Sequence, residues 1–71
     1  MKGQDILLKI RNAKRGKQNS LDLSNCGLSE LPPEIKQLSM LESLNVSNNK
    51  LINLKRVEQL PYLRELDASN N

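Results

Sequence analysis

Histidine, tryptophan and phenylalanine are absent from this chain, and Tyr62 is its sole aromatic residue. Without histidine it lacks the usual general base, the commonest metal ligand and the side chain that titrates near neutral pH. With one aromatic it has no platform for stacking bases or sugars. Cysteine is as scarce: Cys26 stands alone, which excludes an internal disulfide and a cysteine-based zinc or redox cluster. A reducing compartment is the simpler setting, so a cytoplasmic, intracellular protein is expected. No apolar run reaches membrane-spanning length, and the start Met1-Lys2-Gly3-Gln4-Asp5 leads into neither an apolar core nor a small-residue cleavage site. Neither an anchor nor a signal peptide is therefore expected.

What is present is mostly leucine, isoleucine and valine among small polar residues. Seventy-one residues allow one small domain, and a chain this short buries a smaller share of its surface than an average domain. The formal charge of +3 is uneven: residues 1–17 hold Lys2, Lys9, Arg11, Lys14, Arg15 and Lys17 against Asp5 alone, while the remainder is slightly acidic. A solvated helix face accounts for such a run. A phosphate-binding patch of Lys9, Arg11, Lys14, Arg15 and Lys17, taking nucleic acid or an anionic membrane, is the sharper alternative.

From Gln4 to Arg15 the apolar residues Ile6, Leu7, Ile10 and Ala13 have helical spacing, with Leu8 off the centre of the stripe. Asp5 is placed to cap the helix and Gly16 to end it. About ten residues make a helix that is marginal alone, so its stripe must pack on something. Residues 1–17 are therefore expected to cap the remainder of the chain, with the first strand as the nearest partner.

Beyond the helix one spelling is repeated every twenty-two or twenty-three residues: Leu21-Asp22-Leu23-Ser24-Asn25-Cys26-Gly27-Leu28, then Leu44-Asn45-Val46-Ser47-Asn48-Asn49-Lys50-Leu51, then Leu66-Asp67-Ala68-Ser69-Asn70-Asn71. Polar and apolar residues alternate through the first part of each unit, the signature of a short half-buried strand. In the return segments Leu28, Leu31, Ile35 and Leu38, then Leu54, Val57 and Leu60, are expected to face inward. Helical turns are expected over 34–37, behind Pro32-Pro33, and over 55–59, ended by Pro61. A fixed period of this length predicts a solenoid whose units share one core.

The spelling resembles the leucine-rich repeat, whose L-x-x-L-x-L-x-x-N/C-x-L pattern is matched nearly fully by residues 41–51. Gln18 replaces the leading leucine of the first unit, Cys26 takes its N/C place, and Ala68 replaces a leucine in the third. The resemblance covers 18–71, about two and a half units. It implies an α/β fold: a short right-handed arc with parallel strands on its concave face and an N-terminal capping helix. Leu-Pro-Pro-Glu-Ile in the first unit resembles the repeats of intracellular scaffolds, Ras-pathway adaptors and Roco-type proteins. The second unit resembles those of phosphatase regulatory subunits. By the family pattern Asn49 and Asn71 turn inward and bond backbone groups at the turn, with Cys26 in the same place in the first layer.

Parallel pairing sets neighbouring strands about 4.8 Å apart, so outward residues form ladders: Ser20, Ser43 and Glu65; Asp22, Asn45 and Asp67; Ser24, Ser47 and Ser69. With Glu42 beside them, these are the candidate contact residues. The resemblance implies a protein-binding module, and the carboxylates favour a partner with a basic segment. Asp22 and Asp67 stand on the order of 10 Å apart, the long edge for paired acid and base work on a glycoside. No phosphate cradle, nucleophile elbow or ligand cluster accompanies them, so no catalysis, cofactor or metal is expected. Asn71 lies in mid-motif, which suggests the N-terminal part of a longer scaffold or signalling regulator. An uncapped last layer of Leu63, Leu66 and Ala68 also makes self-association a further alternative.

Overall fold

The computed structural model describes residues 3–71, with side chains from Ile6 onward. Helix α1 (Gly3–Arg15) leads into three short strands, β1 (Ser20–Asp22), β2 (Ser43–Asn45) and β3 (Glu65–Asp67). All pair in parallel in the order β1-β2-β3. Between strands the chain returns through two 3-10 turns, Pro33–Gln37 and Val57–Gln59. Each strand and its return make one layer, and the layers stack along the sheet.

The helix buries Ile6, Ile10 and Ala13 in the common core and packs against both β1 and the first return turn. Leu7 was expected in that stripe and is instead 40% exposed. It lies about 100° around the helix from Ile6, over a cleft that it shares with Arg11, Lys14, Glu34 and Gln37. The helix starts at Gly3, so Asp5 falls within the first turn rather than before it. Its side chain, like that of Lys2, lies outside the described residues.

The end of α1 also differs from expectation. The Gln18 N–H donates to the Ala13 carbonyl at 2.9 Å and the Lys17 N–H to that of Lys14 at 3.1 Å, the paired bonds of a Schellman ending. The left-handed residue this requires is Lys17, with φ of 53°, and not Gly16. A side chain in that conformation is strained. Lys17→Gly should therefore raise stability by roughly 0.5–1 kcal/mol after the entropy cost of a new glycine, read as a higher urea midpoint. Gly16→Ala should change little, because a methyl there would meet nothing nearer than the Asn12 carbonyl oxygen at 3.4 Å.

Leu23, Leu31, Ile35, Leu38, Leu41 and Val46 are fully buried, and Leu44 is 1% exposed. The first return is held by Pro32 and Pro33, whose fixed φ suits the start of the 3-10 turn. The second return lacks them and uses another device. Arg56 takes a left-handed conformation, φ 81°, and its guanidinium reaches back to the Leu31 carbonyl at 3.0 Å and the Glu30 carboxylate at 3.4 Å. That tie shortens the second turn to Val57–Gln59, leaving Lys55 and Arg56 outside the helical turn expected over 55–59. Leu54, expected inside, is 39% exposed because it lines the groove beyond the last layer with Leu51, Ile52 and Ala68.

Candidate functional site

The strand pairing brings the expected columns into register: Ser20 beside Ser43 beside Glu65, and Asp22 beside Asn45 beside Asp67. The layers remain bonded past the strand ends. The Leu23 and Asn25 N–H groups donate to Asn45 and Ser47 carbonyls, and those of Val46 and Asn48 donate to Asp67 and Ser69. The third column, Ser24, Ser47 and Ser69, therefore continues the ladder into the turn.

That column, expected among the contact residues, is tied into the turns. In each layer the Asp or Asn side chain folds over the residue two ahead. Asp22 Oδ1 accepts the Ser24 N–H at 2.8 Å, Asn45 Oδ1 the Ser47 N–H at 3.0 Å, and Asp67 Oδ1 the Ser69 N–H at 3.0 Å. The Ser47 and Ser69 hydroxyls donate to the same oxygens, each at 2.7 Å. Short polar side chains close turns this way when the backbone leaves the sheet. Ser47 is buried, so it is corrected from contact residue to turn residue. Ser24 is half-buried and Ser69 exposed, while Ser20, Asp22, Glu65 and Asp67 stand exposed and Ser43, Asn45 and Glu42 half-buried.

The clamps have an electrostatic consequence. The nearby Ser24 hydroxyl, then the Ser24 N–H and more weakly Lys9, hold the Asp22 carboxyl below the usual carboxylate range. The Ser69 N–H and hydroxyl do the same for Asp67. Groups with depressed folded pKa values contribute stability that is present above their unfolded pKa and lost as pH falls through the folded one. Asn45 demonstrates that an amide closes the same turn. Asp22→Asn with Asp67→Asn should therefore keep the fold at neutral pH and flatten the loss of stability on acidification, measured by urea melts across the acid range.

At the start of the strands, the half-buried Glu42 and the exposed Arg64 approach to 3.9 Å, a solvent-accessible pair of small energetic weight. They line adjoining clefts with Glu65, Pro61, Tyr62 and Leu63. Arg64 thus sits among the carboxylates of this end and offsets part of their charge.

Of the basic residues of α1, Lys9 is directed to one neighbour and the pair Arg11 and Lys14 to another, while Arg15 stands exposed. The Lys9 ammonium lies 3.5 Å from the Asp22 carbonyl, on the strand side. Arg11 and Lys14 line the cleft with Glu34 on the side of the first return, and Lys17 ends the helix.

Asn49 and Asn71 turn inward as expected, but sequence reasoning missed the role of the asparagine at the turn before them. Asn25, Asn48 and Asn70 all adopt positive φ, 55°, 57° and 57°, a conformation asparagine tolerates better than other residues with a Cβ. Their identical phase in the repeat was the available signal. The following residue turns inward. Asn49 Oδ1 accepts the Cys26 and Leu28 N–H groups at 2.8 and 3.1 Å, and its Nδ2 donates to the Leu23 and Val46 carbonyls at 3.0 and 2.8 Å. Asn71 repeats the arrangement one layer on, with the Leu51 N–H and the Val46 and Ala68 carbonyls. Each inward asparagine thus serves the turn of the layer before it. Cys26 has no earlier layer to serve, and its thiol, buried in the core, donates a local hydrogen bond to the Ser24 carbonyl at 3.3 Å.

Known proteins repeat this design. The leucine-rich repeat model matches residues 19–38 and 40–60. A protein flightless-1 homolog of Caenorhabditis elegans is 54% identical over 48 residues, 68% of this chain and 4% of its own length. The geranylgeranyl transferase type-2 subunit alpha is 51% identical in Mus musculus and 45% in Homo sapiens, each over 51 residues, 72% of this chain and 9% of theirs. The chain thus spans less than a tenth of the length of each of these relatives. No solved structure gives a significant match. Repeats of this kind generally mediate protein–protein interaction, and with the family pattern matched over most of its length, this chain belongs to the leucine-rich repeat family.

Proposed function

We propose that the chain is a noncatalytic binding module, residues 1–17 capping the repeats of 18–71, whose concave strand face takes a segment of a partner protein. The observation that carries this reading is the exposed column of Asp22 and Asp67, flanked by Glu65. Both aspartates are ionised at neutral pH, and hydrogen bonds from the turn hold them so further into the acid range, so the face is negative and favours a basic segment. Ser20, Ser43 and Asn45 add neutral hydrogen-bonding groups between the charges. The matches to small parts of much larger proteins fit a module carried by an intracellular scaffold or signalling regulator.

The alternative of phosphate binding by α1 gains no support from the geometry. Lys9 is turned towards β1, and Arg11 and Lys14 share their cleft with Glu34. Anionic ligands would meet a divided patch.

The test is capture of partner protein by immobilised chain. Asp22→Lys with Asp67→Lys should reduce capture by roughly tenfold or more. Asp22→Asn with Asp67→Asn, which preserves the turns, should reduce it less and make the remainder less sensitive to salt. Capture unchanged in both variants would rule out the concave face.

A further inference from the structure

We propose that the cleft between α1 and the first return takes an acidic helix of a partner protein, one leucine of which covers Leu7 while two carboxylates meet Arg11 and Lys14. The inference goes beyond the concave-face reading, because this cleft is walled by α1 and the first return at the β1 end of the stack. Ile6, Ile10 and Ala13 follow one another by four and three residues and are all buried. One position along, Leu7, Arg11 and Lys14 repeat that spacing, which makes them a second stripe about 100° around the helix. That stripe is exposed, Leu7 to 40%. Leu7 and Ile10 supply the apolar lining of a cleft of about 260 Å³. The space is smaller than small-molecule sites usually are and fits a side chain or two of a protein partner.

Charge selects the occupant. Among the described residues Arg11 and Lys14 make no ion pair and no side-chain hydrogen bond. The Arg11 fork suits a carboxylate held in two parallel bonds, and Lys14 adds a point charge about one turn further on. Glu34, on the opposite wall, repels a further carboxylate and so sets the acids of the segment over α1. A polyanion would still meet the basic residues divided, with Lys9 on the strand side, but two carboxylates beside one aliphatic need only this stripe. Direction follows from the same spacing. In an antiparallel helix the residues opposite Lys14, Arg11 and Leu7 read Glu-x-x-Glu-x-x-x-Leu. Its carboxylates then fall in its first turns, and the cations they meet lie towards the end of α1. Both placements complement the helix dipoles, which favours this direction over the parallel one.

The probes are alanine-rich peptides of about sixteen residues, long enough to hold a helix. One carries Glu-x-x-Glu-x-x-x-Leu, one has glutamine for both glutamates, and one has serine for the leucine. Each is titrated into the 71-residue chain and followed by NMR. The glutamate peptide should shift the amides of Leu7, Arg11, Lys14 and Glu34 and bind less well as salt rises. The glutamine and serine peptides should each bind roughly tenfold more weakly. Arg11→Gln with Lys14→Gln, at exposed sites, should abolish the preference for glutamate over glutamine. Lys50→Gln with Lys55→Gln, which removes the same charge from exposed sites of the second unit, should retain it, and Glu34→Gln should tighten binding of the glutamate peptide. Equal binding of the glutamate and glutamine peptides would overturn the proposal, as would no shift at all. Shifts confined to Asp22, Asn45 and Asp67 would overturn it in favour of the concave face. Sedimentation of the chain with phosphatidylserine vesicles, reversed by the glutamate peptide, would reassign the stripe to a membrane surface.

Discussion

Asn49→Ala is expected to destabilise the chain by roughly 3 kcal/mol or more, close to the whole margin available to a domain of this size. The substitution removes one side chain but orphans two turns. The Cys26 and Leu28 N–H groups lose their acceptor, and the Leu23 and Val46 carbonyls lose a donor. Asn49 is only 8% exposed, so water cannot readily replace it, and a buried group left without a partner costs about 1–3 kcal/mol. Asn49→Cys is expected to be nearly as damaging, although cysteine stands at the equivalent place in the first layer. Cys26 succeeds there because no earlier turn depends on it. Asn71→Ala, at an exposed site, should cost only about 1 kcal/mol. With one tyrosine and no tryptophan, these differences are best read by circular dichroism in urea. An Asn49→Ala midpoint close to that of Asn71→Ala would show that the inward amide does not hold the layers together.

Leu44→Ala should cost about 2–5 kcal/mol, whereas Leu66→Ala, at the same letter of the repeat, should cost less than about 1 kcal/mol. The two leucines are register partners, yet Leu44 is 1% exposed and Leu66 37%. Removing the Leu44 side chain leaves a cavity between two filled layers, with partners on both sides lost. Removing that of Leu66 trims a surface that solvent already reaches. Denaturant midpoints of the two variants check this directly. Similar losses at both sites would mean that Leu66 is buried in solution.

Much of the architecture was legible because the repeat is written twice over, in spacing and in chemistry. Alternation at Leu21-Asp22-Leu23 and Leu44-Asn45-Val46 assigns faces without any tertiary information, since successive strand side chains must point to opposite sides. The common phase of the units then yields the register of all three strands, which the structure reproduces residue for residue. The two returns were less legible. Prolines mark the first, but nothing local announces that Arg56 would take a left-handed turn, because its guanidinium is held by Glu30 and Leu31 from the preceding unit. The site was legible in its positions and misread in part of its availability. Ser24, Ser47 and Ser69 share one phase with the exposed columns, but their backbone N–H groups are tied to Asp22, Asn45 and Asp67.

By itself, the sequence determined the period, the strand faces, the helical stripe of α1 apart from Leu7, and the family, because each follows from spacing along a chain of known geometry. Only the tertiary structure decided that Lys17 ends the helix, that Ser47 is buried, that the basic patch divides and that Leu54 and Leu66 are left exposed. Those outcomes depend on which layer stands beside a residue, and a repeat spells neighbouring layers alike while their packing differs from one layer to the next.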